Sequence, residues 1–230
     1  MIFDFKFWHY FARQGQLIHN LENSEMRYFN KRLGWLLALG VLLFALREIW
    51  GMNSASLTPY LVAGDLDAYT LARWTALAGT LIWAGIYLTF HTYGAAFLFS
   101  RFLKVPWRLA LVMQTYVTAI LIIEKAVLFL IFTILGYTTY LSLFSFGPLA
   151  AMLFNHSFVI LFFNQLTIFT SLIIAIQYRF LRNYVEFSPK LLLLGLILLH
   201  VVIALFIGAL SLVPLADMLE GFTEGVVPGE

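Results

Sequence analysis

The chain has 230 residues, of which 62% are hydrophobic and 11% charged, with a formal net charge of +2 and a mean hydropathy of +0.88. Soluble domains carry about 25% charged residues, so this composition excludes an ordinary soluble domain and indicates an integral membrane protein. The chain has no cysteine, which excludes disulfides, thiolate metal sites and thiol nucleophiles.

Residues 1–32 mix charged and aromatic side chains and have no uninterrupted apolar core, unlike a cleavable signal peptide. They are predicted to form a cytoplasmic amphipathic segment with a single apolar helical face. Such a helix would lie in the membrane interface or pack on the cytoplasmic loops of the protein itself. The apolar side chains of that face are Phe3, Phe7, Phe11, Ile18 and Leu21.

Residues 33–215 are predicted to form an all-α bundle of five transmembrane helices, because a bilayer core about 30 Å thick needs roughly 20 apolar residues per span. Residues 216–230 follow as a short external tail. The five predicted spans run from Leu33 to Trp50, Trp74 to Phe99, Trp107 to Leu135, Phe158 to Tyr178 and Leu191 to Leu215.

Basic residues predict the orientation of these spans. Eleven of the 14 lysines and arginines lie before span one, between spans two and three, or between spans four and five. The positive-inside rule then predicts a cytoplasmic N-terminus and an external C-terminus.

Two connections on the predicted external side contain sequence that is informative about structure. In residues 51–73, Asp65 or Asp67 is expected to cap the helix that enters span two. Residues 136–157 contain Gly147 and Pro148 within apolar sequence. Because lipid cannot satisfy non-helical backbone, this connection is predicted to form a packed, partly immersed cap.

Polar side chains interrupt the predicted spans. Glu124 and Lys125 lie side by side in span three, where they should leave the helix about 100° apart and face different neighbours. Each ionisable residue in a span is costly, on the order of 2.5–3.5 kcal/mol, and usually faces protein. Two polar stripes are predicted, one of Gln114, Thr118 and Lys125 on span three, and one of Ser157, Asn164, Thr167 and Ser171 on span four.

Helix geometry arranges these groups in two layers. His91 and His200 lie roughly 13–15 Å from the cytoplasmic boundary, and Glu124, Lys125 and Asn164 lie in the outer half of the membrane. The layers are either an ion, proton or ligand path, or polar contacts between spans. The stripes on spans three and four are expected to satisfy each other or a partner. The histidines lack metal-site spacing, so no metal is predicted.

No motif of a known chemistry occurs, since the chain lacks GxxxxGK[ST], HExxH and GxSxG. An enzymatic activity, a catalytic residue and a cofactor are therefore not expected, and neither is nucleic-acid binding. The basic cytoplasmic segments are expected to contact anionic lipid headgroups. The headgroup candidates are Lys31, Arg32, Arg101, Lys104, Arg108, Arg179 and Arg182.

The order of segments from span two to span five resembles a known family. "GAAFLFSRFLKVPWRLALVMQTYVTAILIIEKAVLFL" joins two spans through a short basic loop, and "FFNQLTIFTSLIIAIQYRF" and "SPKLLLLGLILL" follow. Together with a cytoplasmic N-terminal segment, this order resembles the Yip (Ypt-interacting protein) family of small five-span membrane proteins, in its bacterial type.

The resemblance implies an accessory protein of the bacterial plasma membrane that binds other integral membrane proteins, ABC-exporter subunits among them, or itself. The short aromatic N-terminal segment differs from the long polar one of many eukaryotic members, which argues against a small-GTPase partner. Two alternatives stay open, a permease subunit of an ABC-type exporter and a small channel or transporter that uses the polar layers. The partner-binding candidates within the spans are Gln114, Glu124, Lys125, Asn164, His91 and His200.

Overall fold

The computed structural model describes residues 2–213, apart from the side chains of Ala12, Glu22 and Asn23. The predicted external tail, residues 216–230, therefore lies outside the described residues. The protein is all-α, as predicted, with one small two-stranded sheet near its N-terminus. The chain divides into two compact units, Met1–Thr138 with Leu172–Leu192, and Thr139–Ser171 with Leu193–Glu230.

The N-terminal segment of the first unit contains two helices and two strands, so the prediction of a single helical face is wrong. β1 and β2 pair in parallel, with Phe3 opposite Met26. Phe5 and Leu17 are buried against the protein, whereas Trp8 is 74% exposed. The elements of this segment are β1 (Ile2–Asp4), α1 (Phe7–Ala12), α2 (Gln14–Asn23) and β2 (Glu25–Arg27).

Long apolar helices make up most of the first unit. The predicted cap of the second span is confirmed at Asp65, whose carboxylate accepts a hydrogen bond of 2.9 Å from the Ala68 amide. Gly51 (φ +92) ends the first long helix in the left-handed conformation that favours glycine. The helices are α3 (Phe29–Trp50), α4 (Thr58–Val62), α5 (Leu66–Thr89), α6 (Ala95–Leu103) and α7 (Trp107–Leu135), with a π-helical turn at Phe90–Gly94.

α3, α5 and α7 pack closely together. Gly40 of α3 allows this approach, because a Cβ atom there would lie 2.9 Å from Leu88 of α5 and 3.0 Å from Ile122 of α7. Nearly every residue of α7 from Leu109 to Ile120 is buried. α7 is therefore the central helix of this unit.

The largest departure from the predicted spans begins in the second unit. The predicted fourth span, from Phe158 to Tyr178, is not one continuous helix. It forms α9 (Ser157–Gln165) and α10 (Ile168–Leu181), which are separated at Leu166 and Thr167. A short helix, α8 (Gly147–Leu153), packs against α9. Ile168–Leu181 alone is a shorter apolar helix than a membrane span requires.

The last helix, α11 (Pro189–Leu210), corresponds to the predicted fifth span. Its small residues permit close packing, since a Cβ atom on Gly208 would lie 3.1 Å from the Phe158 carbonyl oxygen. Within the described residues, four helical stretches are long and apolar enough to cross a membrane. They are Phe29–Val62, Leu66–Leu103, Trp107–Leu135 and Pro189–Leu210.

Candidate functional site

Five ionisable side chains meet where the end of α3, the start of α5 and the second half of α7 come together in the first unit. We call them the ionic cluster, and its members are Arg47, Glu48, Arg73, Glu124 and Lys125.

Glu48 is the buried anchor of the ionic cluster, with only 2% of its surface exposed. One oxygen of its carboxylate, Oε2, accepts hydrogen bonds from Asn53 Nδ2 at 3.0 Å and from Thr80 Oγ1 at 3.2 Å. Arg73 donates to the backbone oxygens of Glu48 at 3.1 Å and Ile49 at 3.0 Å. The Glu48 carbonyl also accepts from the Gly51 amide at 2.9 Å. Carbonyls of a last helical turn lack the full set of helical partners, so Arg73 of α5 adds a cap to the C-terminal end of α3.

Lys125 brings α7 into the ionic cluster. Its ammonium nitrogen lies 5.0 Å from the centre of the Tyr87 ring and 5.7 Å from that of Phe44, within the range of a cation–π interaction. Lys125 also interacts electrostatically with Arg47 and Glu124. Glu124 interacts with Tyr87 as well. Glu124 and Lys125 thus both interact with Tyr87, whereas they were predicted to face different neighbours.

The ionic cluster carries more positive than negative formal charge, with three basic groups and two carboxylates. Two of its guanidinium nitrogens, Arg47 Nε and Arg73 Nη1, are buried and have no hydrogen-bond partner among the described residues. A buried donor without a partner costs roughly 1–3 kcal/mol. The arrangement can therefore accept an additional anionic group.

Further polar groups continue from the ionic cluster along α5 and α7. The Tyr87 and His91 rings lie 4.4 Å apart between centroids. The π-helical turn that follows contains Thr92, whose hydroxyl lies 3.0 Å from that of Thr118 on α7. Gln114, 1% exposed, lies one turn before Thr118, and its Nε2 has no partner among the described residues. π-Helical turns within α-helices often occur at functional sites.

Asn164 organises the second unit. Its Oδ1 accepts hydrogen bonds from the Ser142 amide at 2.7 Å and from Ser145 Oγ at 2.9 Å, while Nδ2 donates to the Tyr140 carbonyl at 3.4 Å. Gly147 packs directly on Asn164, because a Cβ atom there would lie 2.7 Å from Oδ1. Asn164 thus holds the segment before α8 against the end of α9.

The same segment supplies partners to the break between α9 and α10. Phe146 donates its amide to the Leu166 carbonyl at 3.4 Å, and Ile168 donates to the Phe144 carbonyl at 3.1 Å. Thr167 Oγ1 accepts from the Thr170 amide at 3.1 Å and so caps α10. The interrupted backbone is therefore satisfied by hydrogen bonds within the protein.

The two polar stripes were expected to satisfy each other or a partner. The hydrogen bonds of Thr118 and Asn164 instead go to other groups of the protein. Thr118 bonds to Thr92, and Asn164 bonds to the segment before α8, each within its own unit. The two histidines of the expected layer also belong to different units. His91 lies in the first, and His200 of the second has Nδ1 2.9 Å from the Leu196 carbonyl oxygen.

Six of the predicted headgroup candidates are exposed, namely Lys31, Arg32, Arg101, Lys104, Arg179 and Arg182. Arg108 is half-buried and donates to the Ser24 carbonyl at 2.9 Å. It therefore ties the N-terminal segment to the first turn of α7. No group of three or more His, Asp or Glu side chains with metal-binding proximity occurs among the described residues.

Sequence reasoning identified Glu124 and Lys125 but not Arg47, Glu48 and Arg73 as members of the same site. The distribution of basic residues along the sequence did indicate that Arg47 and Arg73 are unusual. Three of the 14 basic residues lie outside the predicted cytoplasmic segments, and these are Arg47, Arg73 and Lys125. All three meet in the ionic cluster.

Comparison of the chain with protein-family models finds no match, and comparisons with curated proteins and with solved structures find none either.

Proposed function

We propose that this chain is a non-enzymatic protein of the bacterial plasma membrane that acts by binding another membrane protein, and that the ionic cluster receives an acidic group of that partner. The observation that carries the proposal is the pair of buried guanidinium nitrogens on Arg47 and Arg73 that have no partner among the described residues. Arg47 interacts electrostatically with Lys125, Arg73 bonds to the Glu48 carbonyl, and the cluster has an excess of positive charge.

The ionic cluster can be reached from outside the protein. Arg47, Arg73, Glu124 and Lys125 are all half-buried, unlike Glu48. Hydrocarbon cannot stabilise ionisable groups, and such groups in spans usually pair with protein or with water. A partner carboxylate would balance the charge of the cluster. Because Arg47 Nε and Arg73 Nη1 are themselves buried, the two side chains would turn toward the partner to donate to it.

The helix lengths support a position of the ionic cluster near one membrane surface. α7 has 29 residues and extends about 43 Å, which exceeds the roughly 30 Å of a bilayer core. Arg47 lies three residues, or about 5 Å, before the end of α3. On the predicted topology this surface is external, so the proposed contact lies at the outer end of a partner's span.

The Yip-like order of segments supports the same class of function, since the resemblance implies an accessory role beside other membrane proteins. An ABC-exporter subunit and a second copy of this chain are the partners that it suggests.

Purification from native membranes in mild detergent tests the proposal. Arg47→Gln with Lys125→Gln should reduce recovery of the bound partner at least fivefold. The matched control, Lys31→Gln with Arg32→Gln, removes the same charge from exposed positions and should leave recovery unchanged. Melting in detergent shows whether each variant is folded. Equal recovery with the folded cluster variant and the control would contradict the proposal.

A transporter is the second candidate, and the break between α9 and α10 favours it. Thr167 lies nine residues, about 13 Å of helix, beyond Phe158, which packs near the end of α11 at Gly208. We therefore infer that α9 and α10 together cross the membrane as the predicted fourth span, with the break near the middle of the membrane. Discontinuous helices of this kind frame the binding sites of many transporters.

Reconstitution separates the two candidates. A binding protein should leave proton and ion permeability of liposomes at the level of empty vesicles. Flux that depends on the purified chain, and that Glu124→Gln or Asn164→Leu abolishes, would replace the accessory proposal by the transporter.

A further inference from the structure

An open, basic cleft lies on the N-terminal segment, in the first unit and apart from the ionic cluster. Its volume is about 520 Å³, and it is lined by Ile2, Asp4, Lys6, His9, Tyr10 and Arg27. We propose that this cleft binds the phosphate of an anionic phospholipid headgroup from the adjacent leaflet.

The strand register brings the two basic side chains to the same cleft. Asp4 and Arg27 are opposite each other in the parallel pair of β1 and β2. The Phe5 amide donates to the Arg27 carbonyl at 3.0 Å, so the chain turns from β1 directly into Lys6 and α1. The backbone next to Lys6 is therefore held against β2 by hydrogen bonds, and the Lys6 side chain lines the same cleft as Arg27.

The charge of the cleft suits a phosphate group. Arg27 Nε lies 3.9 Å from Asp4 Oδ1, and both side chains are more than half exposed, at 60% and 54%. An ion pair with such exposure is weak. Arg27 also donates to the Tyr28 hydroxyl and lies 4.4 Å from the centre of the Tyr28 ring, so a phosphate must draw the guanidinium away from Tyr28 as well as Asp4. Lys6 adds a second positive charge. Arginine binds phosphate oxygens through parallel hydrogen bonds. Tyr10 already accepts a hydrogen bond from Asn20 Nδ2 at 3.2 Å, which leaves its own hydroxyl hydrogen to donate.

The packing of the segment places the cleft at the membrane surface. Arg108, in the first turn of α7, donates to the Ser24 carbonyl immediately before β2. The Tyr116 hydroxyl, further along α7, donates to the Phe7 carbonyl at 3.1 Å. The start of a spanning helix lies in the headgroup region, so the cleft beside β2 faces headgroups. On the predicted topology they belong to the cytoplasmic leaflet.

Apolar side chains around the cleft fit a lipid better than a soluble anion. Ile2, which lines the cleft, is 69% exposed, and Trp8, next to His9, is 74% exposed. Tryptophan favours the headgroup zone, and aromatic and basic side chains together are typical of interfacial segments. The cleft thus offers cations for a phosphate and apolar groups for the glycerol and acyl region next to it.

Native mass spectrometry of the full chain in detergent tests the proposal, with short-chain phosphatidylglycerol as the probe and phosphatidylcholine as the zwitterionic comparison. Phosphatidylglycerol should stay bound to the unmodified protein. Lys6→Gln with Arg27→Gln should weaken its apparent affinity at least fivefold, and Lys6→Arg should retain it. Lys6 and Arg27 are exposed, so the variants should melt at the unmodified temperature without lipid.

A charge-matched control and a free anion complete the experiment. Arg13→Gln with Lys190→Gln removes two exposed charges of the same predicted cytoplasmic side and should leave phosphatidylglycerol binding within twofold. An equal loss of phosphatidylglycerol binding in this control would mean that general electrostatic attraction explains the effect. That result would overturn the proposed binding site. Inorganic phosphate should not displace the lipid at equal concentration. Displacement by phosphate would show a site for the free anion and overturn the lipid assignment.

Discussion

The hydroxyl groups of Thr92 and Thr118 lie 3.0 Å apart, and both side chains are fully buried. The contact joins the π-helical turn after α5 to the middle of α7. Hydrogen bonds between membrane helices contribute about 0.6 kcal/mol on average and about 1.7 kcal/mol at most.

Thr118→Val should therefore lower the free energy of unfolding by roughly 0.5–1.7 kcal/mol, measured by denaturant titration in mixed micelles. In a double-mutant cycle with Thr92→Val, the second substitution should cause little further loss in the free energy of unfolding. Thr133→Val is the control, because the exposed Thr133 hydroxyl bonds only to the Phe129 carbonyl of its own helix. Fully additive effects of the two buried changes would mean that the contact contributes nothing.

Asn164→Leu should destabilise the second unit more strongly. The substitution leaves the Ser142 amide and the Ser145 hydroxyl without their acceptor beside a broken helix, and each unpaired buried group costs roughly 1–3 kcal/mol. Asn155→Leu is the matched control, since Asn155 is exposed in the connection between α8 and α9. Limited proteolysis between α7 and α10 should accelerate in Asn164→Leu alone. Equal proteolysis of both variants would show that Asn164 does not hold this segment.

The chain has no cysteine, so single cysteines can locate each segment relative to the membrane. Asn155→Cys should react with a membrane-impermeant maleimide added outside intact cells. Glu186→Cys, in the connection between α10 and α11, should react only after the membrane is opened. This outcome requires α9 and α10 to cross the membrane together. Labelling of both positions from one side would leave four crossings and would invalidate the predicted external C-terminus.

The ionic pair of α7 gives a further stability prediction. Glu124 and Lys125 interact electrostatically, and removal of one partner of a buried pair costs on the order of 3–5 kcal/mol. Glu124→Leu should therefore lower the melting temperature in detergent, and replacement of both residues by leucine should lower it less. Unchanged melting of Glu124→Leu and Lys125→Leu would mean that both groups are solvated.

The lengths of the apolar segments in the sequence predicted much of this fold. The bounds of α7 agree with the prediction, and α3, α5 with α6, and α11 correspond to predicted spans one, two and five. The break at Thr167 was not predicted, because the sequence from Phe158 to Tyr178 has no glycine or proline and its polar stripe fits one face of a continuous helix. Backbone groups of Phe144 and Phe146 form the hydrogen bonds that stabilise the break. The hydropathy of a sequence does not indicate such backbone pairing.

The ionic cluster was predictable only in part for a related reason. Glu124 and Lys125 are conspicuous within a long apolar run, whereas Arg47 and Arg73 lie near helix ends, where basic residues are common. Their convergence depends on the packing of α3 on α5 and α7, which Gly40 permits through contact with Leu88 and Ile122. The N-terminal sheet was missed because its strands have three residues each, too few for a period-two pattern.

Site-specific photocrosslinking in native membranes tests most directly whether the ionic cluster binds a partner protein. Ile49 and Trp74 are next to Glu48 and Arg73 and are 61% and 67% exposed. Trp35 and Phe97 have similar exposure, at 63% and 60%, but lie far along the same helical stretches. A photoreactive residue at 49 or 74 should crosslink to one and the same protein, and Arg47→Gln with Lys125→Gln should abolish that product. Crosslinks to lipid alone at 49 and 74, or equal protein crosslinks from 35 and 97, would contradict the proposal.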